Sequence, residues 1–282
     1  MSDAQLERRL AEIRCVALDL DGTVYKGGSL FAWSNPFLGQ LRELGIAYDF
    51  LTNNSSRSAA DYLHHLTELG LEVTAEQIFT SGVATIECLR SEYQGLRRVY
   101  LLGTDSLAAE FRAAGFELVD EPALGEPDVV VVAFDTTLAY DRLCTAGYWI
   151  KQGKPFIATH PDLICPTDTE TLLVDCGAIC ASLERSTGRA PDAVVGKPDP
   201  RMLQGILRRH GIGPHQLAMV GDRLYTDIAM AHASGALGVL VLSGEATAAD
   251  VELSTVKPDL VAENLAEFGQ LLQQSARKRR SA

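Results

Sequence analysis

The sequence predicts an α/β protein built on parallel sheets, and three observations carry that prediction. Short apolar runs alternate with helix-length stretches along all 282 residues. Several of the helical stretches are closed by a glycine. The strands number roughly ten, more than one compact sheet commonly holds, so two α/β units are expected.

In chain order the clearest strand-like runs are Cys15-Val-Ala-Leu-Asp-Leu20, Ala47-Tyr-Asp-Phe-Leu-Thr52, Val99-Tyr-Leu-Leu102, Val129-Val-Val-Val-Ala133, Phe156-Ile-Ala158, Leu217-Ala-Met-Val220 and Gly238-Val-Leu-Val-Leu242. Nearly continuous apolarity, in place of strict alternation, marks strands buried on both faces. Helices fit between them at Ser58 to Leu69, Ser106 to Ala114, Tyr140 to Gln152, Arg201 to His210 and Thr226 to Ser234. Gly70, Gly115, Gly153, Gly211 and Gly235 follow as helix stops. There is no internal repeat and no low-complexity segment.

Composition excludes several classes of function. With 46% hydrophobic residues the chain buries a substantial core. No apolar run approaches the roughly 18 residues that span a bilayer, and the first residues lack the apolar centre of a signal peptide, so a cytoplasmic protein without membrane partners is expected. Cys15, Cys88, Cys144, Cys165, Cys176 and Cys180 show no framework spacing and are expected as free thiols. Cys176 and Cys180 lie one helical turn apart, which suits packing better than metal binding. A net charge of −12 argues against nucleic-acid polymers, and the basic run Arg277 to Arg280 suits the end of a solvated terminal helix.

The residues that bear chemistry sit where strands end. Asp19 and Asp21 close the first apolar run, and residues two apart on a strand point to the same side. Open parallel sheets bind ligands at that end. Two carboxylates there repel unless a cation or proton intervenes, and a hard divalent ion such as Mg2+ meets that need. Taken alone, Asp-x-Asp reads equally as an acidic strand end turning into solvent. A second run, Leu217 to Val220, leads into Gly221-Asp222 and, one turn on, Asp227. Asp222 can complete a metal shell and Asp227 can support it by hydrogen bonding, or simply open a helix. A third run ends in Thr52-Asn53-Asn54-Ser-Ser56, which offers a hydroxyl, amides and a helix amino end to a phosphate, though it also reads as a turn and cap. Finally Lys197 stands between a glycine and a proline before a helix, able to offset phosphoryl charge.

The ordered set Asp19-x-Asp21-Gly-Thr, Thr52-Asn53-Asn54, Gly196-Lys197-Pro and Gly221-Asp222-x4-Asp227 resembles the four motifs of the haloacid dehalogenase-like hydrolases. Leu51-Thr-Asn-Asn-Ser-Ser-Arg-Ser58 and Val220-Gly-Asp-Arg-Leu-x-Thr-Asp-Ile228 are similar, more narrowly, to subfamily IIA, the NagD-like and 4-nitrophenyl phosphatases.

That resemblance implies a Rossmann-like parallel-sheet core from residues 1–78 and 192–282, with a large α/β cap inserted over 79–191. It implies a phosphatase acting on a small phosphorylated metabolite such as a sugar phosphate or nucleotide, with a homodimer as a possible assembly. Asp19 would be the nucleophile that forms an aspartyl phosphate, and Asp21 the general acid and base. Mg2+ would be held by Asp19, the backbone carbonyl of Asp21 and Asp222. Thr52, Asn53, Asn54 and Lys197 would face the phosphoryl group. The cap loop His160 to Pro166 would choose the substrate, with His160 and Asp162 as expected contacts and Cys165 close to the leaving group. His160 stands where relatives carry asparagine or aspartate, and Val174-Asp-Cys-Gly177 departs from their usual Pro-Gly-x-Gly. The alternatives are a phosphotransferase or mutase of the same superfamily and a non-catalytic phosphometabolite-binding protein.

Overall fold

The structure is a computed structural model that describes residues 2–120, 125–165 and 170–281. The chain divides into two compact units, Met1–Leu51 with Leu66–Ile78 and Pro198–Ala282, and Thr52–His65 with Phe79–Lys197. Each has its own parallel sheet, as the apolar runs predict.

The sheet of the first unit has six strands in the order Leu260–Ala262, Leu237–Val241, Leu217–Gly221, Cys15–Asp19, Ala47–Thr52 and Ile78–Thr80. Neighbours from Leu260–Ala262 through Ala47–Thr52 run parallel. Cys15–Asp19, Leu217–Gly221 and Leu237–Val241 are buried at every position, which explains their lack of polar alternation. From the central strand Cys15–Asp19 the chain first builds outward to one side. It later returns to build the other, beginning with Leu217–Gly221. Such a reversal opens a crevice at the carboxyl ends of the two strands beside it. This is a Rossmann-like α/β arrangement.

The second unit carries a five-stranded sheet in the order Ala193–Val194, Phe156–Ala158, Val129–Val132, Arg98–Leu102 and Glu117–Leu118, parallel throughout. Helices Tyr140–Lys151 and Cys176–Thr187 pack on it through Ala146, Trp149, Ile150, Ile179 and Leu183. Ser58 and Asp61 cap helix Ala59–Glu68 reciprocally, the Ser58 hydroxyl accepting from the Asp61 N–H at 3.2 Å and the Asp61 carboxylate accepting from the Ser58 N–H at 2.9 Å.

Two expectations change. The strand read as Cys15 to Leu20 ends at Asp19, because the Leu20 carbonyl leaves the ladder to accept from Val24 N–H at 2.9 Å. The helix read as Thr226 to Ser234 is an α-helix only over Ala229–Ser234, preceded by a π-turn at Leu224–Ile228. Among the described residues no helix is long and apolar enough to cross a membrane.

Candidate active site

In the first unit, Asp19 and Asp222 come from the carboxyl ends of adjacent parallel strands, Leu18 being in register with Val220. Asp227 joins them from the π-turn, and one carboxylate oxygen from each of the three lies within 4.8 Å of the others. All are buried, Asp227 completely. The π-turn wraps five residues so that the Arg223 N–H donates back to the Asp227 carboxylate at 3.1 Å. Asp21, two residues beyond Asp19, is exposed. The turn that carries it is held by Gly22 N–H donating to the Tyr25 carbonyl at 2.7 Å and by the Ser243 hydroxyl donating to the Gly22 carbonyl at 2.7 Å.

Backbone closes in on these carboxylates. Gly22 adopts φ 82°, and a Cβ there would overlap the Asp222 carboxylate. A Cβ on Gly244 would overlap the same group, and one on Gly221 would overlap Asp227. The second Asp222 oxygen accepts from Glu245 N–H at 2.7 Å, but Oδ1 is buried and has no hydrogen-bond partner. A buried carboxylate oxygen left so is costly. Burial first, then the charges of Asp19 and Asp227, push Asp222 up to about 8. An all-oxygen set with one unsatisfied carboxylate oxygen and surplus negative charge fits a hard divalent cation.

In the second unit, Asn53 organises the other group of expected residues. Its Oδ1 accepts from Lys197 N–H at 2.7 Å, and its Nδ2 donates to the Lys197 carbonyl at 3.0 Å and to Asp162 Oδ2 at 3.1 Å. The Thr52 hydroxyl accepts from Asn54 N–H at 3.1 Å, and Asn54 Oδ1 accepts from Ser56 N–H at 2.9 Å. The Asn54 amide reaches Cys165 Sγ at 3.7 Å. Thr52, Asn53 and Lys197 are buried. Asn53, Lys197 and Asp162 are thus brought together, and Asn53 is an organiser of backbone as well as a candidate ligand.

His160 does not face outward as the reading of a substrate contact requires. It is fully buried, with Nε2 against Asp175 Oδ1 at 2.7 Å and Nδ1 against the Thr159 hydroxyl at 2.9 Å, so both ring nitrogens are engaged inside the fold. Burial opposes its charge, yet the Cys176 sulfur and the Asp175 carboxylate outweigh burial and push His160 up to about 9. Pro166, the end of the expected specificity loop, lies outside the described residues.

Sequence reasoning missed Asp175 and the Ser243–Glu245 loop. An aspartate directly before a helix is an N-cap signal, and Asp175 does accept from Cys176 N–H at 2.6 Å. Ser-Gly after the run Gly238 to Leu242 places a loop at a strand's carboxyl end, a signal of the same kind as those at Asp19 and Asp222. The further cluster Cys15, Asp49 and His210 is an ion-paired arrangement, His210 Nε2 meeting Asp49 Oδ2 at 2.5 Å and Arg209 meeting Oδ1 at 3.4 Å.

Comparison with known proteins identifies the family and the fold. Residues 16–117 match the family model described as haloacid dehalogenase-like hydrolase, and residues 194–268 match a second, HAD-hydrolase-like model. The chain is 30% identical over 256 residues to the ribonucleotide monophosphatase NagD of Escherichia coli, covering 91% of this chain and 98% of that one. It superposes on a 4-nitrophenylphosphatase from Thermotoga maritima with a TM-score of 0.87 at 42% identity, covering 93% and 98% of the two chains. A glycerol phosphate phosphatase from Mycobacterium tuberculosis, solved in complex with magnesium, gives a TM-score of 0.85 at 33% identity, covering 93% of this chain and 78% of that one.

Proposed function

Because the chain belongs to the haloacid dehalogenase-like hydrolases, we propose that it is a Mg2+-dependent phosphatase that hydrolyses small phosphomonoesters through an aspartyl phosphate on Asp19. The observation that supports this reading most is the buried Asp19, Asp222 and Asp227 group with its unsatisfied Asp222 oxygen and the exposed Asp21 two residues from Asp19. The relatives it matches are named for ribonucleotide monophosphate, nitrophenyl phosphate and glycerol phosphate, all small phosphomonoesters.

In this mechanism the Asp19 carboxylate attacks phosphorus in line as the ester oxygen departs. Asp21, exposed and therefore able to reach a leaving group, gives that oxygen its proton. It then takes one from the water that cleaves the acyl phosphate and regenerates Asp19. Lys197 offsets charge on the phosphoryl oxygens, and the Thr52 hydroxyl and nearby amides donate to them. Asp19, the Asp21 carbonyl and Asp222 would hold the divalent ion, whose chemistry is charge neutralisation, and Asp227 would support them. The insert 79–191 acts as the cap that limits substrate size, and pairing of two copies belongs to the same proposal.

The test is phosphate release from 4-nitrophenyl phosphate, with and without Mg2+ and with no acceptor but water. Hydrolysis by the wild type and loss of at least about a thousandfold in Asp19→Asn are expected, since the nucleophile goes while the volume stays. Near-normal turnover in Asp19→Asn would falsify the mechanism. Product that forms only with an added acceptor points to a phosphotransferase instead.

A further inference from the structure

We infer that His160 is a positioning residue for Lys197, acting through the buried Asp175 pair and the loop that both residues clamp. The inference rests on the reading of Lys197 as the group that offsets phosphoryl charge.

The backbone of the lysine segment is laid directly on the histidine segment. Gly196 N–H donates to the Thr159 carbonyl at 2.7 Å, and Val195 N–H to the Ala158 carbonyl at 3.1 Å. Gly196 has no side chain because a Cβ there would meet His160 Cβ at 2.5 Å, the Thr159 carbonyl oxygen at 2.6 Å and Asn53 Oδ1 at 2.7 Å. One residue further on, Lys197 is gripped by Asn53, whose Nδ2 also holds Asp162 from the same loop as His160. The two segments are therefore tied to each other by backbone bonds and through the Asn53 side chain.

His160 fixes that pair of segments to the rest of the second unit. On one side its ring meets Asp175, the N-cap of helix Cys176–Thr187. On the other it meets the Thr159 hydroxyl, which contacts Ser55 Oγ at 3.0 Å, and Ser55 in turn accepts from Phe134 N–H at 3.0 Å. The loop also lies against the helix amino end, where Gly177 N–H donates to the Asp162 carbonyl at 2.8 Å and Asp175 N–H to the Leu163 carbonyl at 3.0 Å. A buried hydrogen-bonded pair is an expensive feature to keep inside an apolar unit. Here it joins a rigid helix end to the backbone that presents Lys197. Asp175, Asp162 and Cys176 are the ionisable groups that face the ring. Supporting residues of this kind act on rate by holding a reacting group in place, and their loss typically costs about tenfold to a hundredfold.

The experiment measures kcat and KM for 4-nitrophenyl phosphate with saturating Mg2+ in His160→Asn, Lys197→Ala and the double variant. Asp175→Asn approaches the same pair from its other side, and circular dichroism checks the fold of each protein. The expected result is a kcat loss of about tenfold to a hundredfold in His160→Asn and in Asp175→Asn, with KM changed by less than about threefold. In the Lys197→Ala background His160→Asn should cost nothing further, because its effect passes through the lysine. An equal loss in both backgrounds, or wild-type kcat in folded His160→Asn and Asp175→Asn, overturns the inference. A wild type that releases no phosphate overturns the phosphatase reading instead, and the inference falls with it.

Discussion

Asn53 holds both backbone polar groups of Lys197, accepting from its N–H at 2.7 Å and donating to its carbonyl at 3.0 Å. A side-chain amide used so substitutes for a strand partner, and it fixes where the lysine side chain begins. Replacing it strands two buried backbone groups at about 1–3 kcal/mol each. Asn53→Ala is expected to lower kcat by about tenfold or more, and Asn53→Asp, which keeps the Lys197 N–H bond but turns a carboxylate oxygen toward the Lys197 carbonyl and Asp162, to lower it at least as far. Steady-state kinetics on the three proteins check the order, and an Asn53→Ala enzyme with unchanged kcat removes Asn53 from the site.

The unsatisfied Asp222 oxygen predicts that a divalent ion stabilises the fold as well as the reaction. Mg2+ at saturating concentration is expected to raise Tm in the wild type and to leave Tm unmoved in Asp222→Ala. Gly244→Ala, whose new Cβ would overlap the Asp222 carboxylate, should shift the Mg2+ dependence of melting to higher concentration with the carboxylate still present. Scanning fluorimetry across a Mg2+ series reads both, and a full shift in Asp222→Ala would place the ion elsewhere.

The His160 ring gives stability a pH signature. Its folded-state value, about 9, lies above the ordinary histidine range near 6.5, so the folded protein binds the proton more tightly than the unfolded chain. That stabilisation is fully present below about pH 6.5 and is lost as pH rises through about 9. The Tm gap between wild type and His160→Asn should therefore be largest near pH 6 and shrink toward pH 10. A gap constant over that range means that the ring is held neutral.

Arg142 is expected to carry a large polar contribution within the second unit. Its guanidinium donates to Asp135 at 2.8 Å and to the carbonyls of Gly103 at 2.8 Å and Leu101 at 3.2 Å. The Asp135 side chain is wholly buried while Arg142 remains 33% exposed, so water tempers the loss. Arg142→Ala should cost about 2–3 kcal/mol in urea unfolding, below the full penalty for a sealed pair. A cost under about 0.5 kcal/mol would mean that solvent replaces the arginine completely.

Much of this arrangement is legible in the sequence because it is written locally. Asp19 and Asp222 follow apolar runs, and Thr52, Asn53 and Lys197 stand where strands give way to helices, so position along one element is enough to find them. What was not legible depends on partners distant in sequence. His160 reads as a loop residue until Asp175 is seen 15 residues later on a helix end. The strand Ile78–Thr80 runs straight into helix Ser81–Glu92, so no break in the sequence sets its three residues off as a strand. The π-turn at Leu224–Ile228 looks like an ordinary helix start, because its extra residue serves Asp227 and leaves no mark on the apolar pattern.

The second unit takes in Thr52–His65 and Phe79–Lys197, so two of the residues proposed to face phosphate, Thr52 and Lys197, lie at its outer edges. This bears on how such proteins exchange parts. A graft cut at residues 79 and 191 would leave Asn53 without its native Asp162 and Ser55 without its native Thr159. Junctions placed outside 52 and 197 would carry those bonds and the lysine together, with Leu66–Ile78 of the first unit travelling along. Recombination among relatives should thus tolerate cuts at Leu51 and Pro198 better than cuts between them, and chimeras built both ways would differ in turnover before they differ in folding.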